Sequence, residues 1–88
     1  MNLYYTSQFK KDYKRIKKQN KDVNKLKAVI GLLFSGKNLD RKYKDHTLCG
    51  GWNGCRDCHI EPDWILIYKF KKDTLTLERT GSHSELFK

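Results

Sequence analysis

Three histidines (His46, His59 and His83), an aspartate after a proline (Asp63) and Arg79 are the residues of this 88-residue chain best suited to proton chemistry around a phosphate. RNA carries its own nucleophile, the 2′-hydroxyl. Cutting it takes a base for that proton, an acid for the departing 5′-oxygen and positive charge around the phosphorane. Histidine suits both proton roles near neutral pH, because its free pKa is about 6.5. Asp63 is a candidate base or histidine orienter, and Arg79 with protonated histidines can hold the phosphate. This chemistry needs neither metal nor cofactor. Trp64 and Phe87 offer flat faces on which a base can stack, although Trp64 also opens an apolar strand and suits the core equally well. A lone histidine is more often a surface or hydrogen-bonded group. What lifts these three above that reading is the charge of the rest of the chain.

The net charge is +9, and it is unevenly spread. From Met1 to Lys44 thirteen basic residues stand against three acidic ones; from Asp45 to Lys88 six stand against seven. The first half is a polycation, and such a field gathers nucleic acid by releasing counterions. Lys10, Lys14, Lys17 and Lys18 are the substrate-docking candidates. The proton-transfer candidates lie in the neutral half, so docking and cutting are expected on different parts of the surface. An acidic protein partner would feel the same field. No apolar run approaches the ~18 residues of a membrane span; the longest is Trp64 to Tyr68. The first residues show no basic region followed by an apolar stretch, so no signal peptide is read there and a cytoplasmic protein without membrane contact is expected.

The cysteines offer two decoys. Cys55-Arg56-Asp57-Cys58-His59 matches a haem attachment pattern, but that chemistry belongs outside the cytoplasm and the segment reads as a strand. Zinc could draw on Cys49, Cys55, Cys58 and His46 or His59. Residues three apart on a strand point to opposite faces, so Cys55 and Cys58 cannot share an ion. Three reduced cysteines and no bound metal are expected, with Cys58 facing the core beside Ile60.

The elements that must position these groups follow from periodicity. Leu3 to Tyr5 reads as a short strand. A helix capped by Ser7 carries Phe9, Tyr13 and Ile16 on one stripe, with Lys10, Lys11, Lys14, Arg15, Lys17 and Lys18 on its other faces. A second helix, capped by Asn20 or Asp22, carries Val23, Leu26, Ile30 and Leu33 and stops at Gly36. Strands are then expected over Thr47–Gly51, Cys55–Glu61, Trp64–Lys71 and Thr74–Thr80, with turns at Asn53-Gly54, Pro62-Asp63 and Lys72-Asp73 and a short turn or helix over Ser84–Phe87. The predicted architecture is one α+β domain, residues 1–88, ordered β-α-α-β-β-β-β, with two helices packed on a small, mainly antiparallel twisted sheet.

Two blocks carry a resemblance. One runs Tyr43-Lys44-Asp45-His46, Leu48, Gly50, Trp52, Gly54, Arg56-Asp57 and His59, and continues from Glu61-Pro62-Asp63-Trp64 to Lys69. The other is Glu78-Arg79-Thr80-Gly81-Ser82-His83 with Leu86-Phe87. With Asn24-Lys25-Leu26-Lys27 of the second helix, these resemble bacterial toxins of the RelE superfamily in its YafQ branch, over nearly the whole chain. The first helix matches only in its basic character.

The resemblance implies a RelE-like microbial ribonuclease fold and a ribosome-dependent endoribonuclease that cuts mRNA in the decoding site. It also implies a cognate antitoxin, with operator DNA bound only by the toxin–antitoxin complex. Carried over residue by residue, the family's site falls on His46, His59, Asp63, His83 and Phe87, with Trp64 and Arg79 alongside. His46 and His59 would hold the scissile phosphate, Asp63 would be the base and His83 the acid. The basic helices would bind ribosomal RNA. The three cysteines depart from the family pattern and carry no role in it. The rival readings are a non-catalytic basic RNA- or DNA-binding module, which leaves RNA intact, and a zinc-stabilised interaction domain, which metal analysis reveals.

Overall fold

The computed structural model describes residues 1–48, 50–52 and 54–87. Strand β1 (Asn2–Tyr5) leads into helices α1 (Ser7–Lys18) and α2 (Val23–Phe34); strands β2 (His46–Thr47), β3 (Arg56–Glu61), β4 (Trp64–Lys71) and β5 (Thr74–Gly81) follow, and helix α3 (His83–Leu86) closes the order. Short 3₁₀ turns occupy Arg41–Tyr43 and Gly50–Trp52. The predicted order is the observed one, with the closing turn confirmed as a helix.

The first helix begins one residue earlier in its cap than the sequence suggests. Thr6, not Ser7, is the N-cap: its hydroxyl oxygen accepts from the Phe9 amide at 3.0 Å while donating to the Glu78 carbonyl at 2.7 Å. Thr6 wins because that second bond ties the cap to β5, which Ser7 lacks. Asp22 caps α2, its side chain accepting from the Asn24 amide. Gly36, at φ +78°, follows the last turn, and the amides of Gly36 and Lys37 return to the carbonyls of Leu33 and Leu32. That reversal needs a left-handed residue, which glycine supplies without strain.

The sheet has five strands in the order β1-β5-β4-β3-β2. Three pairings are antiparallel, but β1 runs parallel to β5, Asn2 beside Thr74 and Tyr5 beside Leu77. The connection from β1 to β5 holds both helices and the other three strands, ample for parallel pairing, and α1 and α2 carry the chain from one edge of the sheet to the other. The strand expected over Thr47–Gly51 shrinks to His46–Thr47, since Gly50 and Gly51 lie in a 3₁₀ turn. Glycine gives a strand nothing to pack and weakens it. The strand expected from Cys55 begins at Arg56. Of the turn expected at Asn53-Gly54, Gly54 has φ +81° and Asn53 lies outside the described residues, as does Cys49.

Central strand β4 is buried on both faces, which explains its unbroken apolar run. Trp64, Leu66 and Tyr68 pack with Phe9, Ile16 and Leu26 under the helices, whereas Ile65 and Ile67 pack on the opposite face with Cys55 and Leu86. Trp64 is therefore core: it is 0% exposed, and its indole N–H donates to the Thr80 hydroxyl at 2.9 Å. It offers no face to a base, which corrects its assignment as a stacking surface.

Cys58 and Ile60 lie in the helix-side cluster and Cys55, just before β3, in the other, so the two cysteines sit on opposite sides of the sheet. Burial pushes the Cys58 thiol up to about 12 and also raises that of Cys55. Since the thiolate is the reactive form, brief alkylation of native protein should leave the Cys55 and Cys58 peptides unmodified, while unfolded protein reacts at both. Native labelling of Cys58 at the unfolded rate would show that the core opens readily.

Candidate active site

Strand register brings the histidines to the sheet face opposite α1 and α2. His46 pairs with Asp57, Asp57 with Ile67, and His59 with Ile65. Residues opposite one another share a face, as do residues two apart on a strand. His46, Asp57 and His59 therefore stand together above the floor formed by Ile65, Ile67 and Leu86. His83 arrives from the other side of that floor, because Ile65 also pairs with Gly81, immediately before α3.

Each ring is fixed differently. His46 Nδ1 lies 2.8 Å from the Lys44 carbonyl, and His59 Nδ1 lies 3.2 Å from the Pro62 carbonyl. A carbonyl only accepts, so both Nδ1 atoms carry hydrogen and, in the neutral rings, both Nε2 atoms are lone-pair acceptors. Protonated at Nε2, either ring becomes a donor to a phosphate oxygen. His83 is set by its backbone. Its amide donates to Asp63 Oδ1 at 3.0 Å, Ser82 and Glu85 form a reciprocal capping box, and its ring lies 5.0 Å from that of Phe87. Phe87 is half-buried and meets Trp52 edge-on at 6.2 Å, so it remains an available aromatic wall.

Asp57 was missed by the sequence reading. It is 3% exposed, and its Oδ1 sits 3.0 Å from His46 Nδ1. That oxygen nonetheless receives no hydrogen bond, because the Nδ1 hydrogen is directed at the Lys44 carbonyl. Burial raises the Asp57 carboxyl above its ordinary value; the charges of His46, His59 and His83 pull it back and Asp45 pushes it up. A buried carboxylate felt by all three histidines marks the centre of the group. The available signal was its position two residues before His59.

Arg79 is more committed than expected. Its Nε and Nη2 donate to Asp12 Oδ2 and Oδ1, both at 3.0 Å, leaving Nη1 as the guanidinium nitrogen without a protein hydrogen bond among the described residues. Asp12, an acid on the most basic helix, is 0% exposed. Arg15 likewise turns inward, donating to Asp12 at 2.8 Å and to the Thr80 carbonyl at 2.9 Å, and so leaves the outer basic face. Lys10, Lys14, Lys17 and Lys18 are all exposed, as expected.

A further network steadies His46. Asp45 Oδ1 accepts from the Tyr68 hydroxyl at 2.5 Å and from Arg56 Nε at 3.2 Å, anchoring the segment before β2 to the core. Among the described residues, no helix is long and apolar enough to cross a membrane.

Residues 1–88 match the family of the YafQ bacterial toxin of type II toxin–antitoxin systems. The mRNA interferase toxin YafQ of Escherichia coli K12 is 50% identical over 86 residues, 97% of this chain and 94% of the relative. The crystal structure of the E. coli DinJ–YafQ complex holds a chain 49% identical with a TM-score of 0.93, covering 99% of this chain and 98% of that one. A metal-bound toxin from Helicobacter pylori is 43% identical with a TM-score of 0.92, covering 99% of each chain. This chain belongs to the YafQ family and is a toxin of a type II toxin–antitoxin system.

Proposed function

We propose that the chain is a metal-independent endoribonuclease, working without a cofactor, that cuts mRNA in the decoding site of the ribosome and so stops translation. The observation that carries this reading is the cluster of His46, His59 and the buried Asp57 on one sheet face, with His83 at the start of α3 held by its amide to Asp63. The name of the E. coli relative, an mRNA interferase, supports the choice of substrate.

In this mechanism Asp63 takes the 2′-hydroxyl proton through Oδ2, its other oxygen holding the His83 amide. The 2′-oxygen attacks phosphorus while the Nε2 groups of His46 and His59 hold the non-bridging oxygens. His83 protonates the 5′-oxygen as the P–O bond breaks, leaving a 2′,3′-cyclic phosphate and a 5′-hydroxyl. Arg79 reaches the phosphate only through Nη1, and Phe87 supplies the stacking surface. Asp57 places a buried carboxyl beside His46. Lys10, Lys14, Lys17 and Lys18 meet ribosomal RNA, and an antitoxin silences the protein, with operator DNA bound by the joint complex.

The test compares one message, free and loaded on translating ribosomes. Cleavage confined to the ribosome-bound message, by protein that elemental analysis shows to hold no metal, supports the proposal. Equal cleavage of both, or a stoichiometric metal ion in the active protein, overturns it. Neutralising the four lysines together should weaken ribosome binding and flatten the logarithmic salt slope by up to about one unit per lost phosphate contact. The chemical step on saturated ribosomes should stay the same; unchanged binding would remove α1 from the docking surface.

A further inference from the structure

Beside the histidine face lies a cleft of which the mechanism above uses only His59. It has a volume of about 400 Å³ and is bounded by α2, the 3₁₀ turn Arg41–Tyr43 and the β3–β4 hairpin; Lys25, Lys42, Tyr43, Lys44, His59 and Glu61 are among its lining. That is the size of a site for one small organic group. We propose that this cleft holds the nucleotide neighbouring the scissile one, as single-stranded RNA. The proposal rests on the nuclease reading and extends it.

Four observations converge. First, His59 belongs to both places: it lines the cleft, and its register partner Ile65 floors the histidine cluster. A nucleotide in the cleft is thus adjacent to a phosphate held at His59. Second, β2 pairs with β3 only through Arg56 and Asp57, so beyond Asp57 the outer backbone edge of β3 has no strand partner among the described residues. Backbone N–H and C=O groups that no ladder claims on that edge can bond base edges or sugar hydroxyls.

Third, the charge is right. Three lysines line the cleft against a single carboxylate, Glu61, which Lys25 meets at 2.9 Å. Lys42 and Lys44 are exposed and form no ion pair among the described residues. Fourth, the lysines are aimed by structure. Asp40 caps the 3₁₀ turn, and Lys44 sits in the left-handed region at φ +50°, turning the chain toward β2 and His46. Lys42 Nζ covers the Tyr43 ring at 5.2 Å, so recognition here falls to charge and hydrogen bonds, with stacking left to Phe87.

The experiment titrates the full-length protein with a short RNA carrying one 2′-deoxy sugar at the cleavage position, which binds but cannot react. Binding should shift the NMR signals of Lys42, Lys44 and His59 together. The Lys42→Gln/Lys44→Asn variant, with asparagine chosen because it tolerates the left-handed region, should bind about tenfold more weakly. Its salt slope should be lower by about 1.4 units, two contacts at about 0.7 each for single strands. Glu61→Gln should bind two- to threefold more tightly, a gain that a purely structural pair with Lys25 does not produce. Lys71→Gln/Lys72→Asn, at the remote β4–β5 turn, should leave affinity unchanged.

RNA that binds with the same affinity to the Lys42/Lys44 variant, or shifts only α1, overturns the cleft assignment while leaving the nuclease reading intact. Signals there that respond to an acidic peptide and not to RNA would give the cleft to a protein partner and overturn it equally. A wild-type protein that fails to cut ribosome-bound message overturns the nuclease reading itself.

Discussion

Replacing His83 with alanine should slow single-turnover cleavage on saturated ribosomes by about 10²–10⁴-fold, the usual contribution of a general acid. The prediction rests on how the residue is held. Its backbone, not its ring, makes the structural bonds: the amide goes to Asp63, and the Ser82–Glu85 box caps α3 without help from the imidazole. The exposed ring touches Phe87 and is free to carry a proton. Removing it should change stability by no more than about 0.5 kcal/mol, as for other surface positions, and should hardly alter ribosome binding. His83→Gln keeps a hydrogen-bond donor yet transfers no proton, so it should be nearly as defective as alanine. A glutamine variant with near-normal rate would mean that His83 only positions the message, and the acid would have to be sought at His46 or His59.

The second large effect concerns folding. Asp12 accepts from Arg79 twice, from Arg15 at 2.8 Å, from the Thr80 amide at 3.2 Å and from Gln8 at 3.3 Å. Asp12→Ala leaves two guanidinium groups facing each other with a buried amide unsatisfied. Breaking a buried ion pair from one side costs about 3–5 kcal/mol, a large share of the roughly 5–15 kcal/mol of a whole domain. At about 4 °C per kcal/mol or more for this size, the melting temperature should fall by at least ~12 °C. A fall of under ~3 °C would show that the cluster contributes little.

The pH dependence separates the two buried carboxylates. Burial alone would raise the Asp12 carboxyl, but its hydrogen bonds from Arg79, Thr80, Arg15 and Gln8 outweigh burial and hold it below the usual value of 3.8. The stability it contributes is therefore fully present above about pH 4, and is lost as pH falls through the lower folded-state value. The gap between wild type and Asp12→Asn should narrow under acid. Asp57, raised chiefly by burial, has the opposite sign: its ionised form opposes folding at neutral pH and protonation relieves the strain. Asp57→Asn should leave stability unchanged or raise it while cleavage falls.

The fold was largely legible in the chain because periodicity reports burial. The β4 run, the helix stripes and the Pro62-Asp63 turn each follow from local pattern. The parallel β1–β5 pairing was not, since Tyr4 and Tyr5 look the same whichever strand they join. The histidines were visible by residue type. Asp12 and Asp57 were hidden because a charged letter reads as solvent-facing; only a partner supplied from elsewhere in the fold, Arg79 for one and the histidines for the other, explains its burial. Trp64 shows the converse, an aromatic suited to stacking that the core claims.

The parallel pairing also sets a clock on synthesis. Asn2 meets Thr74, 72 residues later, and Asp12 closes on Arg79, 67 residues later. At roughly 5–20 residues per second, the first helix emerges several seconds before the strand that fixes it. During that interval Phe9 and Ile16 lack the β5 side of their packing, and Asp12 lacks Arg79. Long closures of this kind slow folding. The histidine face cannot be complete before β5 and α3 are in place, so the half-made chain carries its basic helix without the finished histidine cluster.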